Sequence, residues 1–170
     1  MPPPLVTASF CLTMPADIVQ IPALYIPPPE TDALLELRKE TLCKVNNLEK
    51  DYEFDSLLIE FSRGYFLNGN QTTVVAEDEG TLIGCASLSY VEVMPTLMHP
   101  TGIRAHLMNV YVREQYRRQG IARQMIKLLI DEALLRGVTE ITLDSTEAGR
   151  PLYENLGFCE HKEGMILTLR

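Results

Sequence analysis

Residues 112–122 read VREQYRRQGIA and join an apolar, alternating run to a long amphipathic segment through a polar turn with an R-x-x-G-x-A core. The pattern is that of a strand end, an anion-binding turn and a helix start. The first backbone N–H groups of a helix have no intrahelical partner and carry the positive end of its dipole, so such a turn is a ready phosphate site. Gly120 is expected to let the main chain come close to an anion, and small Ala122 to let the first helical turn do the same. Taken alone the turn is unspecific, because an ordinary strand-to-helix connection has the same form.

The neighbouring sequence supplies the context. From Ile121, the residues Ala122, Met125, Ile126, Leu129, Ile130, Ala133 and Leu134 make one apolar stripe at helical spacing, while Arg123, Lys127, Asp131 and Arg136 face water. Gly137 stands just past the last turn, and residues 140–143 then alternate as a strand. Strand, helix and strand in this order form a βαβ unit, whose two strands are parallel neighbours. Pro151 suits the first residue of a short helix that Gly157 closes, and residues 165–169 read as a last strand.

Upstream, residues 72–77, 82–94 and 103–112 read as an antiparallel meander joined by the hairpin turn Asp78-Glu79-Gly80 and a loop over 95–102. Residues 5–13 suit a first strand, and Pro15-Ala16-Asp17-Ile18 is a short helix signal. Pro22, Pro27, Pro28 and Pro29 break regular structure. Thr31 or Asp32 is expected to cap a helix to about residue 45 with Leu34, Leu35, Leu37 and Leu42 inside, and a second helix covers 54–67 before Asn68-Gly69-Asn70. Residues 1–4, three of them proline, read as a loose end. With no repeat or linker, the expectation is an antiparallel meander that becomes a mixed sheet with helices packed on it, in one domain.

At 170 residues the chain can bury a proper core. No apolar run approaches the roughly 20 residues that span a bilayer, and MPPPLVTASF lacks a basic region followed by an apolar one. A cytoplasmic protein without a secretory leader or membrane association is therefore expected. Cys11, Cys43, Cys85 and Cys159 are widely spaced, which fits free thiols better than a metal or disulfide framework. The net charge of −8 argues against nucleic-acid binding, which needs clustered Lys and Arg. Residues 1–100 hold 14 acids and 5 bases, whereas residues 101–170 hold 9 acids and 10 bases. An anionic ligand on the C-terminal half and a cationic one near the N-terminal half follow.

Two patterns now stand in one frame: Val110-Tyr111-Val112 leading into Arg117-x-x-Gly120-x-Ala122, and, further on, Pro151-Leu152-Tyr153-Glu154-Asn155-Leu156-Gly157-Phe158. In this order the chain resembles the GNAT family of acetyl-coenzyme A-dependent N-acetyltransferases, closely over residues 72–170 and over the N-terminal third only in its strand-helix-helix order. The resemblance implies an α/β (α+β) fold with a twisted, mixed but mostly antiparallel sheet of about six to seven strands and about four helices. Residues 5–70 would form a strand and the acceptor-side helices, and 72–170 the coenzyme-binding core. Homodimers are common in the family, and no metal is implied.

By the same resemblance, Arg117, Arg118, Gln119, Gly120, Ile121 and Ala122 bind the coenzyme pyrophosphate, chiefly through main-chain N–H groups. The preceding strand ends in a bulge where Val110 and Val112 pair with the pantetheine arm, the Val110 N–H donating to the acetyl oxygen. Such a donor typically contributes about 3 to 4 kcal/mol to lowering the barrier. Tyr153 falls where many members carry the tyrosine that protonates the departing thiolate, help worth roughly a hundredfold to ten-thousandfold. The family often has a proline where this chain has Glu114, a glycine where it has Arg118, and a pantetheine-holding asparagine where it has Thr146.

A base must also take a proton from the acceptor amine. Glu92 is the first choice, with His106 and Asn109 as groups that orient a water or the substrate. No cysteine lies in an acyl-carrier frame, which favours direct attack in a ternary complex. In the family the acceptor binds against the N-terminal helices, here rich in Glu36, Glu40, Glu49, Asp51, Glu53, Asp55 and Glu60. A cationic small-molecule amine, such as a polyamine, an amino sugar or an amino-acid-like amine, is the resulting expectation. The alternatives are acetylation of a protein N-terminus or lysine, which calls for an open trough beside the 95–102 loop, and a non-catalytic acyl-coenzyme A sensor.

Overall fold

Strand alternation divides the hydrophobic residues into two sets, and the computed structural model, which describes residues 17–22, 28–160 and 167–169, packs helices against both. The strands are β1 (Asp17–Pro22), β2 (Gln71–Asp78), β3 (Thr81–Glu92), β4 (Ile103–Val112) and β5 (Ile141–Leu143), lying side by side in chain order. The helices are α1 (Pro28–Asn46), α2 (Ser56–Asn68), α3 (Ile121–Leu135) and α4 (Arg150–Glu154), with one 3₁₀ turn at Glu114–Tyr116. All neighbours are antiparallel except β4 and β5, which are parallel, as the strand-helix-strand order requires.

The β2–β3 hairpin turns through Glu79 (φ 48°) and Gly80 (φ 78°), both in the left-handed region that a tight two-residue hairpin needs. One face of the sheet buries Val74, Ala76, Ala86, Leu88, Tyr90, Ala105 and Leu107 against Ile121, Met125, Ile126, Leu129 and Ala133 of α3. The other face sets Val75 and Cys85 against Leu34, Leu35 and Leu37 of α1 and Phe66 of α2. α2 begins at Asp55, whose carboxylate accepts from the Leu57 N–H at 2.8 Å.

Some expectations need correction. Of the helix signal at 15–18, residues 15 and 16 lie outside the described residues and 17–18 belong to β1, because pairing with β2 along Asp17↔Glu77 to Pro22↔Thr72 outweighs a local cap, and an edge strand tolerates a terminal proline. α1 starts at Pro28 rather than at a Thr31 or Asp32 cap, since a proline costs nothing in a first turn where the N–H has no partner. The described residues hold five strands rather than six or seven. The strand expected over 5–13 lies outside the described residues. So does the start of the one expected over 165–169, of which 167–169 are irregular.

The feature that positions the site is in β4. Cys85 pairs with Tyr111 and Ser87 with Met108, so Ala86 alone faces both Asn109 and Val110. This is a β-bulge, and Asn109 holds φ 54°, a conformation that asparagine tolerates better than most residues. On the other edge of β4, pairing with β5 runs only through Ala105↔Ile141, His106↔Thr142 and Leu107↔Leu143. Beyond that point β4 continues without β5, and a notch opens between them.

Leu129 is fully buried at the centre of the α3 contact. Leu129→Ala is expected to cost about 2–5 kcal/mol by lost burial and the cavity left behind. Urea unfolding checks it, and a loss under about 1 kcal/mol would show that α3 is not anchored as described.

Candidate functional site

Backbone direction in β4 reverses at the bulge. Before it, Ala105 N–H donates to Glu140 C=O at 2.9 Å and Ile103 C=O accepts from Thr139 N–H at 3.1 Å, so odd-numbered residues face β5. After it, Arg113 N–H donates to Ile83 C=O at 2.9 Å, so odd-numbered residues face β3. By strand alternation Val110 aims its N–H and C=O, and Val112 its N–H, into the notch, while the Val112 C=O is taken by Arg117. Their side chains pack on the α3 side, which leaves the backbone as the chemistry the notch presents.

The turn into α3 closes one end of the notch. Tyr116 Oη donates to Asp78 Oδ2 at 2.9 Å, which ties the turn to the β2–β3 hairpin. Arg117 Nε donates to Val112 C=O at 2.8 Å, with its guanidinium 5.7 Å from the Tyr111 ring centre. Arg118 sits at φ 64°, a left-handed conformation that costs an arginine roughly 1–2 kcal/mol. Gly120, at φ 81°, caps α3, and no side chain satisfies the cap. The first amides of α3, at Ile121, Ala122 and Arg123, thus point outward with the dipole behind them, beside exposed Arg118 and Gln119. A Cβ on Gly120 would meet nothing within 4 Å, so its positive φ, rather than a close approach within the protein, is what demands glycine.

Tyr153 lies on the β5 side of the molecule. Its ring packs edge-on against Phe158 at 6.0 Å and abuts Gly149, where an added Cβ would come within 3.3 Å of Tyr153 Cε2. Burial pushes its pKa up, so the phenol remains a proton donor through neutral pH. Thr146 is engaged locally: its Oγ1 accepts from Gly149 N–H at 3.2 Å, which shapes the entry to α4.

On the opposite face, between α2 and the sheet, lies a cavity of about 540 Å³. Leu58, Phe61, Tyr65 and Phe66 form its apolar wall, and Ser87, Ser89, His106, Met108 and Asn109 form its floor. His106 Nδ1 lies 3.0 Å from Thr142 Oγ1, and its Nε2 is 3.8 Å from Asp144 Oδ2. Asn109 Nδ2 donates to Cys85 Sγ at 3.4 Å. That thiol is fully enclosed, and burial pushes its pKa up to about 12 against the opposing pull of Arg38. A neutral, inaccessible thiol is a poor acyl carrier.

Two sets of residues expected on the acceptor side lie away from this cavity. Glu92 is exposed at the end of β3, in the alternation of Leu88 and Tyr90, which face α3; the cavity floor is built from Ser87 and Ser89 on the other side. None of the seven carboxylates offered as a cation-attracting face lines the cavity. Glu36 pairs with Lys39 at 2.8 Å, Asp55 caps α2, and Glu40 takes the Arg113 guanidinium at 2.8 and 3.2 Å. The charged side chain at the cavity is instead Arg38. Its signal was present in the sequence, since it stands one turn after Leu34 on the buried stripe of α1, where a leucine would be ordinary.

Among the described residues no helix is long and apolar enough to cross a membrane, and no group of three or more His, Cys, Asp or Glu is placed to hold a metal.

The sequence model of the Acetyltransferase (GNAT) family matches residues 32–158. Glucosamine 6-phosphate N-acetyltransferase of Trypanosoma brucei brucei is 32% identical over 90 residues, 53% of this chain and 59% of that protein. [Ribosomal protein bS18]-alanine N-acetyltransferase of Escherichia coli (strain K12) is 44% identical over 59 residues, 33% of this chain and 40% of that protein. The chain thus spans about half the length of the curated relatives it matches. An acetyltransferase from Clostridium acetobutylicum, solved with acetyl-CoA, superimposes with a TM-score of 0.76 at 24% identity over 90% of this chain and 96% of that one. Glucosamine-6-phosphate N-acetyltransferase from Arabidopsis thaliana gives 0.62 at 17% identity, over 91% and 99%. These likenesses establish a shared fold.

The enclosed Cys85 thiol gives a stability test. Its pKa is raised in the folded chain, so from about pH 9 towards 12 the folded form keeps a proton that the unfolded form releases. The stability due to the neutral thiol is complete below pH 9 and falls above it by up to about 1.4 kcal/mol per pH unit. Urea unfolding of the native protein and Cys85→Ala should show the native advantage shrinking by about 1 kcal/mol or more between pH 8.5 and 10. A constant difference would place the thiol in contact with water.

Proposed function

Because the chain belongs to the Acetyltransferase (GNAT) family, we propose that it moves an acetyl group from acetyl-coenzyme A to a primary amine by direct attack within a ternary complex. The observation that carries this reading is the notch: outward backbone groups at Val110 and Val112, ending in a helix start whose amides have no side-chain cap. The donor set fits the coenzyme, because extended pantetheine amides match a strand edge and a pyrophosphate matches a helix N-terminus. When bound, acetyl-coenzyme A supplies the thioester. The amides of Ile121, Ala122 and Arg123, with Arg118 and Gln119 alongside, hold its phosphates.

The Val110 N–H donates to the acetyl oxygen and stabilises the negative charge that develops there. As the amine nitrogen bonds to the acetyl carbon, the carbon–sulfur bond breaks and Tyr153 gives its phenolic proton to the departing sulfur. His106 replaces Glu92 as the proton acceptor for the amine, through water, because it lines the cavity on the strand that carries the bulge. The cavity volume of about 540 Å³ suits a small molecule. No residue of the 95–102 loop lines it, which gives no support to a peptide trough.

Thiol release measured with a panel of amines tests the reading, since a sensor would bind the coenzyme and release nothing. Tyr153→Phe should lower kcat by about a hundredfold or more while leaving acetyl-coenzyme A affinity intact. An unchanged kcat would remove Tyr153 from the chemistry. Gly120→Ala should weaken acetyl-coenzyme A binding about tenfold, because alanine at φ 81° costs on the order of 1–2 kcal/mol and reshapes the first turn of α3. Calorimetric affinity within twofold of the native value would contradict the phosphate site.

A further inference from the structure

Among the described residues, Arg38 is a cation with no carboxylate in ion-pair range. Its guanidinium lines the apolar-walled cavity, and one donor, Nη1, reaches the neutral Asn109 Oδ1 at 3.3 Å. Among the described residues no carboxylate stands within 4 Å of it, and Glu40, two residues on, is held by Arg113. Burial alone pulls its pKa down, and no carboxylate offsets the loss. An arginine presents five N–H donors, and removing its charge from water without a partner is costly, so the cavity as it stands is electrostatically incomplete.

We infer that the acceptor is an amine carrying its own carboxylate, as an apolar α-amino acid does, with the carboxylate bound by Arg38 and the side chain against Phe61, Tyr65 and Met108. The inference rests on the acetyltransferase reading and narrows it. Asn109, which touches Arg38, immediately precedes Val110, whose N–H faces the acetyl oxygen in that reading. The anion therefore sits close to the reacting carbon, and amine and anion are separated by few bonds. The α2 wall of Leu58, Phe61 and Tyr65 offers apolar surface, and with no carboxylate among the described lining residues a polycation meets no counter-charge there. A phosphorylated amino sugar shares the anion but places it further from the amine and brings hydroxyl groups to an apolar wall.

The test compares kcat/KM for leucine, methionine and phenylalanine with that for their amides, which keep the amine and side chain and lose the anion. Spermidine and glucosamine 6-phosphate serve as further arms. The acids should exceed their amides by about 10- to 100-fold, the usual worth of a hydrogen-bonded charge. Spermidine and glucosamine 6-phosphate should fall below the acids. In Arg38→Gln the acid-to-amide ratio should drop to within about threefold of one, and Arg38→Lys should recover part of it. Melting curves of each variant check folding, and calorimetry on the native protein with N-acetyl-leucine and N-acetyl-leucinamide gives a second reading that needs no variant. Equal rates for acid and amide, preference for spermidine or the sugar phosphate, or a ratio unmoved by Arg38→Gln would overturn the inference alone. Coenzyme binding with no amine acetylated would overturn the acetyltransferase reading and the inference together.

Discussion

One extra residue in β4 governs the site. Asn109, opposite Ala86 at φ 54°, shifts the strand by one position, so backbone groups that would have served the β3 ladder face the opposite edge. Because β5 stops at Leu143, that edge is unpaired where the reversal takes effect. An unregistered edge is ordinarily a liability in a sheet. Here it is short, lies inside a notch and leads directly to the start of α3.

The same residue joins the cavity to the bulged edge of the sheet. The Asn109 side chain meets Arg38 from α1 and Cys85 from β3, so the floor of the cavity and the bulge beside the notch are one local structure. Other contacts hold this arrangement in place. The buried stripe of α3 fixes where its N-terminus points, and Tyr116 ties the intervening turn to Asp78. The Arg113–Glu40 pair joins α1 to the end of β4; being about one-third exposed, it contributes on the order of 0–1 kcal/mol and matters for position more than for stability.

What the sequence made legible was local. The α3 stripe, the Asp78-Glu79-Gly80 hairpin and the parallel β4–β5 pair follow from periodicity and connection rules that act over a few residues. The errors came from long-range pairing. β1 forms where a helix signal stood, because β2 offers it a ladder. Glu92 shares a face with Leu88 and Tyr90 by plain alternation along β3; which face of that strand carries the cavity depends on how α1 and α2 pack, which no local pattern states. The acidic excess of residues 1–100 does not form one surface at the cavity: Asp55 caps α2 and Glu36 and Glu40 are in ion pairs, while Glu49, Asp51, Glu53 and Glu60 are exposed and line no part of it, and Arg38 stands in an apolar stripe.

The central claim is that the backbone of the notch and the start of α3 form one binding surface for acetyl-coenzyme A. An amide-resolved NMR titration of the native protein with acetyl-coenzyme A tests it directly. The account predicts the largest shifts at the amides of Val110, Val112, Ile121, Ala122 and Arg123, saturating together with one binding constant. Shifts confined to the other sheet edge, or to α2, with these five amides unmoved, would contradict it.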